Sequence, residues 1–213
     1  MSQHAESVTS IPVDGVELDG ILSVPDDATG LVVFAHGSGS SRRSPRNNFV
    51  ADVIRERGLG TLLFDLLTQA EDRNREMRFD IPLLTSRLVA VTGWLWEREQ
   101  TRDLNVGYFG SSTGAAAALR AAARLGGDVG AVVSRGGRVD LASEVLESVH
   151  SPTLLVVGGT DTQVLELNRR TYVRLRCEKD LHVVEGAGHL FEEEGELAEV
   201  ADVAADWFAE TLG

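Results

Sequence analysis

The stretch Asn105–Gly127, NVGYFGSSTGAAAALRAAARLGG, decides the reading of the whole chain. Val106 to Phe109 is a short apolar run that breaks at Gly110-Ser111-Ser112-Thr113-Gly114 and restarts at once as an alanine-rich helix. A connection made only to join a strand to a helix is longer and more polar. The abruptness predicts a sharp strand-to-helix corner that holds one small side chain, Ser112. A glycine stands two residues to either side of it, because a Cβ there would strike the facing strand or helix. Such a corner lifts the serine Oγ clear of the sheet and sets it at a helix N-terminus, whose dipole favours developing negative charge. The alanines from Ala115 onward let that helix approach the sheet closely.

The same alternation extends in both directions. GLVVFAHG (Gly30–Gly37) is a continuous apolar run, as in a strand buried on both faces of a parallel sheet. Ser44-Pro45 supplies a helix cap and a first-turn proline, Phe49, Val50, Val53 and Ile54 line one face, and Gly58 ends the helix. GTLLFDLL reads as a strand, and Asp80 and Pro82 open a helix that runs through WLWER. Past the corner, GAVVSRGG, PTLLVVGG and LHVVEG are strands. Helices are expected at Ala115–Arg124, briefly at Leu141–Val149, and at Val164–Leu175. A last one carries Leu197, Val200, Ala201, Ala204, Trp207 and Phe208 at helical spacing. Trp94, Trp96 and Trp207 fall at core positions of their helices.

The N-terminal segment alternates instead: Val8, Ile11 and Val13, then Val16, Leu18, Ile21 and Val24, with Asp14-Gly15 as a tight turn between two strands. A hairpin followed by strand–helix repeats predicts an α/β fold. It is a three-layer α/β/α sandwich, mostly parallel, with an antiparallel N-terminal edge, and one domain spans residues 1–213. The one long polar connection, Thr68 to Asp80, leaves a strand at the carboxyl edge where ligands bind. It reads either as a solvated loop or as a flap over the site. Only 18 residues separate Ser134 from Thr153, too few for a cap domain.

Composition narrows the partners. A net charge of −13 argues against nucleic acid or an anionic membrane. Cys177 is the single cysteine, so neither an internal disulfide nor a cysteine-rich metal site is expected. The opening MSQHAESVTS lacks a basic stretch followed by an apolar run, and the apolar segments Leu31–Ala35 and Thr153–Gly158 are too short to cross a bilayer. The expectation is a cytoplasmic protein acting on a small molecule. Gly37-Ser38-Gly39 lacks the third glycine of a dinucleotide fingerprint, and no Walker lysine is present, so no cofactor or metal is expected.

A serine hydroxyl is a poor nucleophile without a base, and the base needs an orienting acid. Of the five histidines, His4 is in the tail, His36 precedes Gly37, His150 precedes a strand and His182 lies inside one. His189, in GAGHLF, follows the last strand at the edge where Ser112 sits. Asp161, in VVGGTDTQV, follows the preceding strand at the same edge, and Asp140, after VVSRGGRV, is an alternative acid. The chain order Ser112, Asp161, His189 is that of a nucleophile elbow with its acid and base.

Here the sequence resembles the α/β-hydrolase superfamily, and within it the small single-domain members similar to dienelactone hydrolases. HGSGSS, GSSTG, GGTD and GAGH fall in the family's places over nearly the whole chain. One departure concerns chemistry: dienelactone hydrolases proper carry a cysteine nucleophile, whereas this chain has Ser112. The resemblance implies hydrolysis of a small ester or lactone through an acyl-enzyme. It also implies an oxyanion hole made of the backbone N–H groups of Thr113 and Ser38, with His36 structural. Thioesterase and peptidase activity use the same parts, and a non-catalytic receptor on this fold remains an alternative. Arg42, Arg43 and Arg46 cluster after the oxyanion turn, and Arg135 and Arg138 follow the next strand. Arg42, Arg43 and Arg135 are therefore candidate contacts for an anionic substrate, unless local acids such as Asp65 or Asp140 occupy them.

Overall fold

In the computed structural model, which describes residues 7–213, eight strands form one sheet. They are β1 (Ser7–Val13), β2 (Val16–Ser23), β3 (Gly30–Ala35), β4 (Gly60–Phe64), β5 (Asn105–Ser111), β6 (Val129–Arg135), β7 (Thr153–Gly158) and β8 (Lys179–Val184). Their spatial order is β1-β2-β4-β3-β5-β6-β7-β8. β1–β2 and β2–β4 pair antiparallel, and every other pair is parallel. The β1–β2 hairpin turns at Asp14 (φ 49°) and Gly15 (φ 75°), the two left-handed positions that such a two-residue turn demands.

The helices are α1 (Pro45–Glu56), α2 (Gln69–Asp72), α3 (Arg75–Arg78), α4 (Ile81–Trp96), α5 (Thr113–Leu125), α6 (Thr162–Arg174) and α7 (Glu196–Leu212). α4 and α5 cover one face of the sheet and α1 and α7 the other, while α6 lies over β7 and β8. β3 and β7 are buried along their whole length, as their unbroken apolar runs require. β3 lies between β4 and β5, so the chain leaves β3 and β5 in opposite directions. The crevice between those two strand ends is where ligands of open α/β sheets bind.

Three expectations change. Phe49 is exposed, and α1 instead turns Asn47, Val50, Ala51 and Ile54 inward. The difference is one position around the helix, which a 3.6-residue period leaves ambiguous over twelve residues. The short helix near Leu141–Val149 is two 3₁₀ turns, Val139–Ala142 and Leu146–Ser148. The tighter winding keeps Val139, Ala142, Leu146 and Val149 buried, while Arg120 of α5 reaches the Leu141 carbonyl and the Glu144 carboxylate.

The Thr68–Asp80 connection is not featureless. Thr68 and Glu71 form a reciprocal capping box on α2, and Asn74 caps α3. Arg87, buried on α4, binds both Glu71 Oε1 at 2.8 Å and the Val13 carbonyl at 3.2 Å, so this segment is tied to the helix beneath it. Trp94, Trp96 and Trp207 are half-buried and pack against the core. No helix among the described residues is long and apolar enough to cross a membrane.

Candidate active site

β5 ends at the corner its glycines predict. Ser112 has φ 51° and ψ −119°, a conformation that costs a non-glycine residue about 1–3 kcal/mol and persists only where the surroundings impose it. The surroundings do so from both sides. Ser112 N–H donates to the Arg135 carbonyl (3.1 Å), and the Ser112 carbonyl accepts from Arg138 N–H (2.9 Å), so the loop after β6 grips the corner by both of its peptide groups. A Cβ on Gly110 would lie 2.5 Å from Ala115 Cα, and one on Gly114 would lie 2.0 Å from the Ala35 carbonyl oxygen. Only glycine allows the corner to pack between β3 and its own helix.

Asp161 stands at the N-cap position of α6, yet its side chain makes no bond to the helix N–H groups. Its carboxylate is turned to His189 instead, with Oδ2 2.6 Å from Nδ1. Nδ1 therefore carries the proton, and Nε2 is left as the basic nitrogen. The two loops touch closely. A Cβ on Gly158 would be 2.4 Å from the Ala187 carbonyl oxygen, which instead accepts from Thr160 N–H (3.0 Å) and Thr160 Oγ1 (2.8 Å). Gly136 (φ 52°) passes under the imidazole, and a Cβ there would be 3.3 Å from His189 Cε1. Phe191, buried and at φ 53°, anchors the loop beyond. The alternative acid, Asp140, is held bidentately by Arg138 at 2.9 Å through both oxygens.

Ser112 and His189 line one cleft of about 540 Å³ with Ser111, Arg135, Leu190 and residues of the 37–46 loop. Ser112 Oγ and His189 are not hydrogen-bonded to each other. The Asp161–His189 contact is closed and the Ser112–His189 contact open; hydrogen bonds of catalytic groups are often long before substrate binds. None of residues 68–80 lines this cleft; Asp72 and Arg78 of that segment stand instead with Gly37, Ser38 and Gly39 around a small neighbouring cavity.

Thr113 is the first residue of α5, where a helix N–H has no partner within the helix. Ser38 N–H, the other expected oxyanion donor, is engaged: it donates to Thr113 Oγ1 at 2.9 Å. His36 is structural. Nδ1 donates to the Gly37 carbonyl (2.9 Å), Nε2 accepts from Leu66 N–H (3.0 Å), and burial lowers its pKa, so the ring is neutral. His182 Nε2 meets Glu199 Oε1 at 2.7 Å, away from the cleft, and His150 is exposed. His4 lies outside the described residues.

The arginines divide. Arg42 is not in the cleft: its backbone N–H binds Asp65 Oδ1 at 2.7 Å and its guanidinium pairs with Asp65 and with Asp19 (3.1 Å). It is scaffold, because β2 and β4 are neighbours and bring those two acids beside it. Arg43 and Arg135 line the cleft, as does Arg46, which also pairs with Glu192 at 3.0 Å. Burial first, and then the positive charge of Arg46, push the Arg135 pKa down to about 10. The sequence reading overlooked Ser40, Ser41 and Ser44, which line the same wall. The serine–arginine alternation in GSGSSRRSPR was the available signal. Among the described residues no cluster of histidine, cysteine or acidic side chains is arranged to hold a metal ion.

The crystal structure of dienelactone hydrolase from Anabaena variabilis superposes on this chain with a TM-score of 0.97 at 52% identity, covering 99% of this chain and 100% of that one. Est1E from Butyrivibrio proteoclasticus shares the fold at a TM-score of 0.82 with 16% identity, covering 96% of this chain and 98% of its own. In sequence, a Mycobacterium tuberculosis protein with the provisional name phosphoribosyl transferase is 58% identical over 197 residues, 92% of this chain. This chain spans 44% of the length of that relative. No family model matches the chain.

Proposed function

Because the chain belongs to the dienelactone hydrolase-like members of the α/β-hydrolase superfamily, we propose that it is a serine hydrolase of small carboxylic esters or lactones, working through an acyl-enzyme. One observation carries this reading. The carboxylate of Asp161 is spent on His189 Nδ1 at 2.6 Å rather than on its own helix, and His189 shares a cleft with a serine at a positive-φ corner.

On this reading, Ser112 Oγ adds to the ester carbonyl while His189 Nε2 takes its proton. Asp161 stabilises the resulting imidazolium. The proton passes to the leaving alkoxide, the acyl group stays on Ser112, and a water deprotonated by His189 releases it by the same route. Thr113 N–H and Ser38 N–H are the proposed oxyanion donors, with Ser38 N–H leaving Thr113 Oγ1 as the carbonyl oxygen arrives. Removing one such donor from a related site costs about 10²–10³ in kcat. Side chains and water supply every step, and we place the reaction in the cytoplasm. Among the described residues only 3₁₀ turns lie between β6 and β7, too little for a cap over the cleft, which favours small substrates that need no lipid interface.

The transferase name of the M. tuberculosis relative does not carry over on this reading, since the chain spans under half of that protein. A fluorophosphonate probe tests the proposal. It should label Ser112, and Ser112→Ala should abolish both labelling and ester turnover. Labelling that survives Ser112→Ala, or near wild-type turnover in His189→Ala, overturns the assignment.

A further inference from the structure

The cleft carries more positive charge than a neutral ester uses. Its fourteen lining residues include Arg43, Arg46 and Arg135 and six serines, but no aspartate or glutamate, in a chain of net charge −13. The other arginines held largely out of solvent have acidic partners: Arg42 has Asp65 and Asp19, Arg55 has Asp52, and Arg87 has Glu71. Arg135 has none among the described residues. Its Nη1 is sealed from water without a hydrogen-bond partner, beside the like charge of Arg46. A guanidinium nitrogen sealed from water without a partner, next to a second positive charge, is unfavourable and is stabilised when an anion enters the cleft.

Glu192 offsets Arg46, which leaves Arg43 and Arg135 as two charges in one cleft without an acidic partner among the described residues. The twelve-residue helix α1 opens onto the same cleft through its cap Ser44 and Pro45, with its positive end toward it. We propose that these cleft residues form a phosphoryl-binding subsite, so that the substrate is a carboxylic ester or lactone carrying a phosphate group away from the scissile bond. This deepens the hydrolase reading and rests on it.

Charge favours phosphate over carboxylate. A phosphate monoester carries about −1.5 to −2 at pH 7 and three acceptor oxygens. It balances both guanidiniums, whereas a carboxylate balances one. Guanidinium forks bind phosphate bidentately, and the hydroxyls of Ser40, Ser41 and Ser44 add single donors. The phosphoryl group does not react. The acyl C–O bond breaks, water supplies the elements of acid and alcohol, and the phosphate departs intact on one product.

Calorimetric titration of the whole protein with inorganic phosphate, and separately with acetate, tests the subsite without any turnover. Phosphate should bind at least tenfold tighter than acetate. Arg135→Ala should weaken phosphate at least tenfold and Arg43→Ala at least threefold, while Arg102→Ala, at a surface pair with Asp103, should change nothing. If Arg135→Ala does not fold, Arg135→Lys, which keeps the charge but loses the fork, should still weaken phosphate by several fold. Phosphate binding no tighter than acetate, or unaltered by the Arg135 variants, overturns the subsite. Ser112-dependent turnover of a neutral ester is measured separately, so failure of the hydrolase reading shows there and not in the titration.

Discussion

Replacing Gly158 by alanine should separate catalysis from folding. The added Cβ would sit 2.4 Å from the Ala187 carbonyl oxygen and 2.5 Å from that of Gly188, where ordinary contact begins near 3.4 Å. Both atoms are backbone, so no side chain can rotate away, and the loop carrying His189 must retreat by about 1 Å. The Asp161–His189 bond, now 2.6 Å, would stretch to about 3.6 Å, beyond hydrogen-bonding range. A misplacement of about 1 Å at a reacting group costs on the order of 10²-fold in rate. The overpacking itself should cost only about 1–3 kcal/mol of stability, leaving a folded protein. Steady-state kcat on a neutral chromogenic ester, read beside the thermal midpoint, checks both halves. Gly159→Ala is the comparison: its Cβ would meet the Val184 carbonyl oxygen at 3.3 Å, and kcat should fall by no more than a few fold. Full activity in a folded Gly158→Ala protein would refute the argument that this contact sets the base against its acid.

Three further outcomes are expected. Asp161→Asn should lower kcat by about 10⁴ by favouring the wrong imidazole tautomer, whereas Asp140→Asn, which loosens only Arg138, should stay within about tenfold of wild type. The reverse ranking would transfer the acid's role to Asp140. His36 is neutral in the fold and its pKa is lowered by burial, so below about pH 6.5 the unfolded chain binds a proton that the native state refuses. Its contribution is whole above that pH and is lost as pH falls toward the depressed folded value. The slope is at most about 1.4 kcal/mol per pH unit, read from urea melts between pH 7.5 and 5. His36→Gln should flatten that slope. It should also lower stability at neutral pH by about 1–3 kcal/mol, because the amide cannot hold both the Leu66 N–H and the Gly37 carbonyl as the two ring nitrogens do. An unchanged slope would mean that another group governs the acid limb.

What could be read from the sequence is what depends on local chemistry. β3, β5 and β7 announce themselves as apolar runs, and the Ser112 corner by glycines whose Cβ positions are filled by Ala115 and Ala35. Asp161 and His189 were legible because parallel strands deliver their following loops to one edge, whatever the strand order. The arginines were not, because their partners depend on that order. Arg42 looks like a cleft residue until β2 and β4 are seen side by side, with Asp19 and Asp65 on them or just beyond. Periodicity also could not decide between Phe49 and Asn47 as the inward residue of α1, since the choice is made by α7 packing across it. Nor could it show that Ser38 N–H is already engaged by a hydroxyl 75 residues away.

The sheet order has one more consequence. Ser112, the proposed nucleophile, sits at the centre of the sheet, but His189, its proposed base, hangs from β8, a strand with a neighbour on one side only and with mostly half-exposed side chains. Edge elements of this kind open in native-state fluctuations that leave the rest of the molecule folded. Amide hydrogens of β8 should therefore exchange sooner than those of β3 and β5. In mild urea, turnover should fade while the far-ultraviolet spectrum is still native. The centre of the molecule would then govern whether the protein survives, and its last strand whether it works.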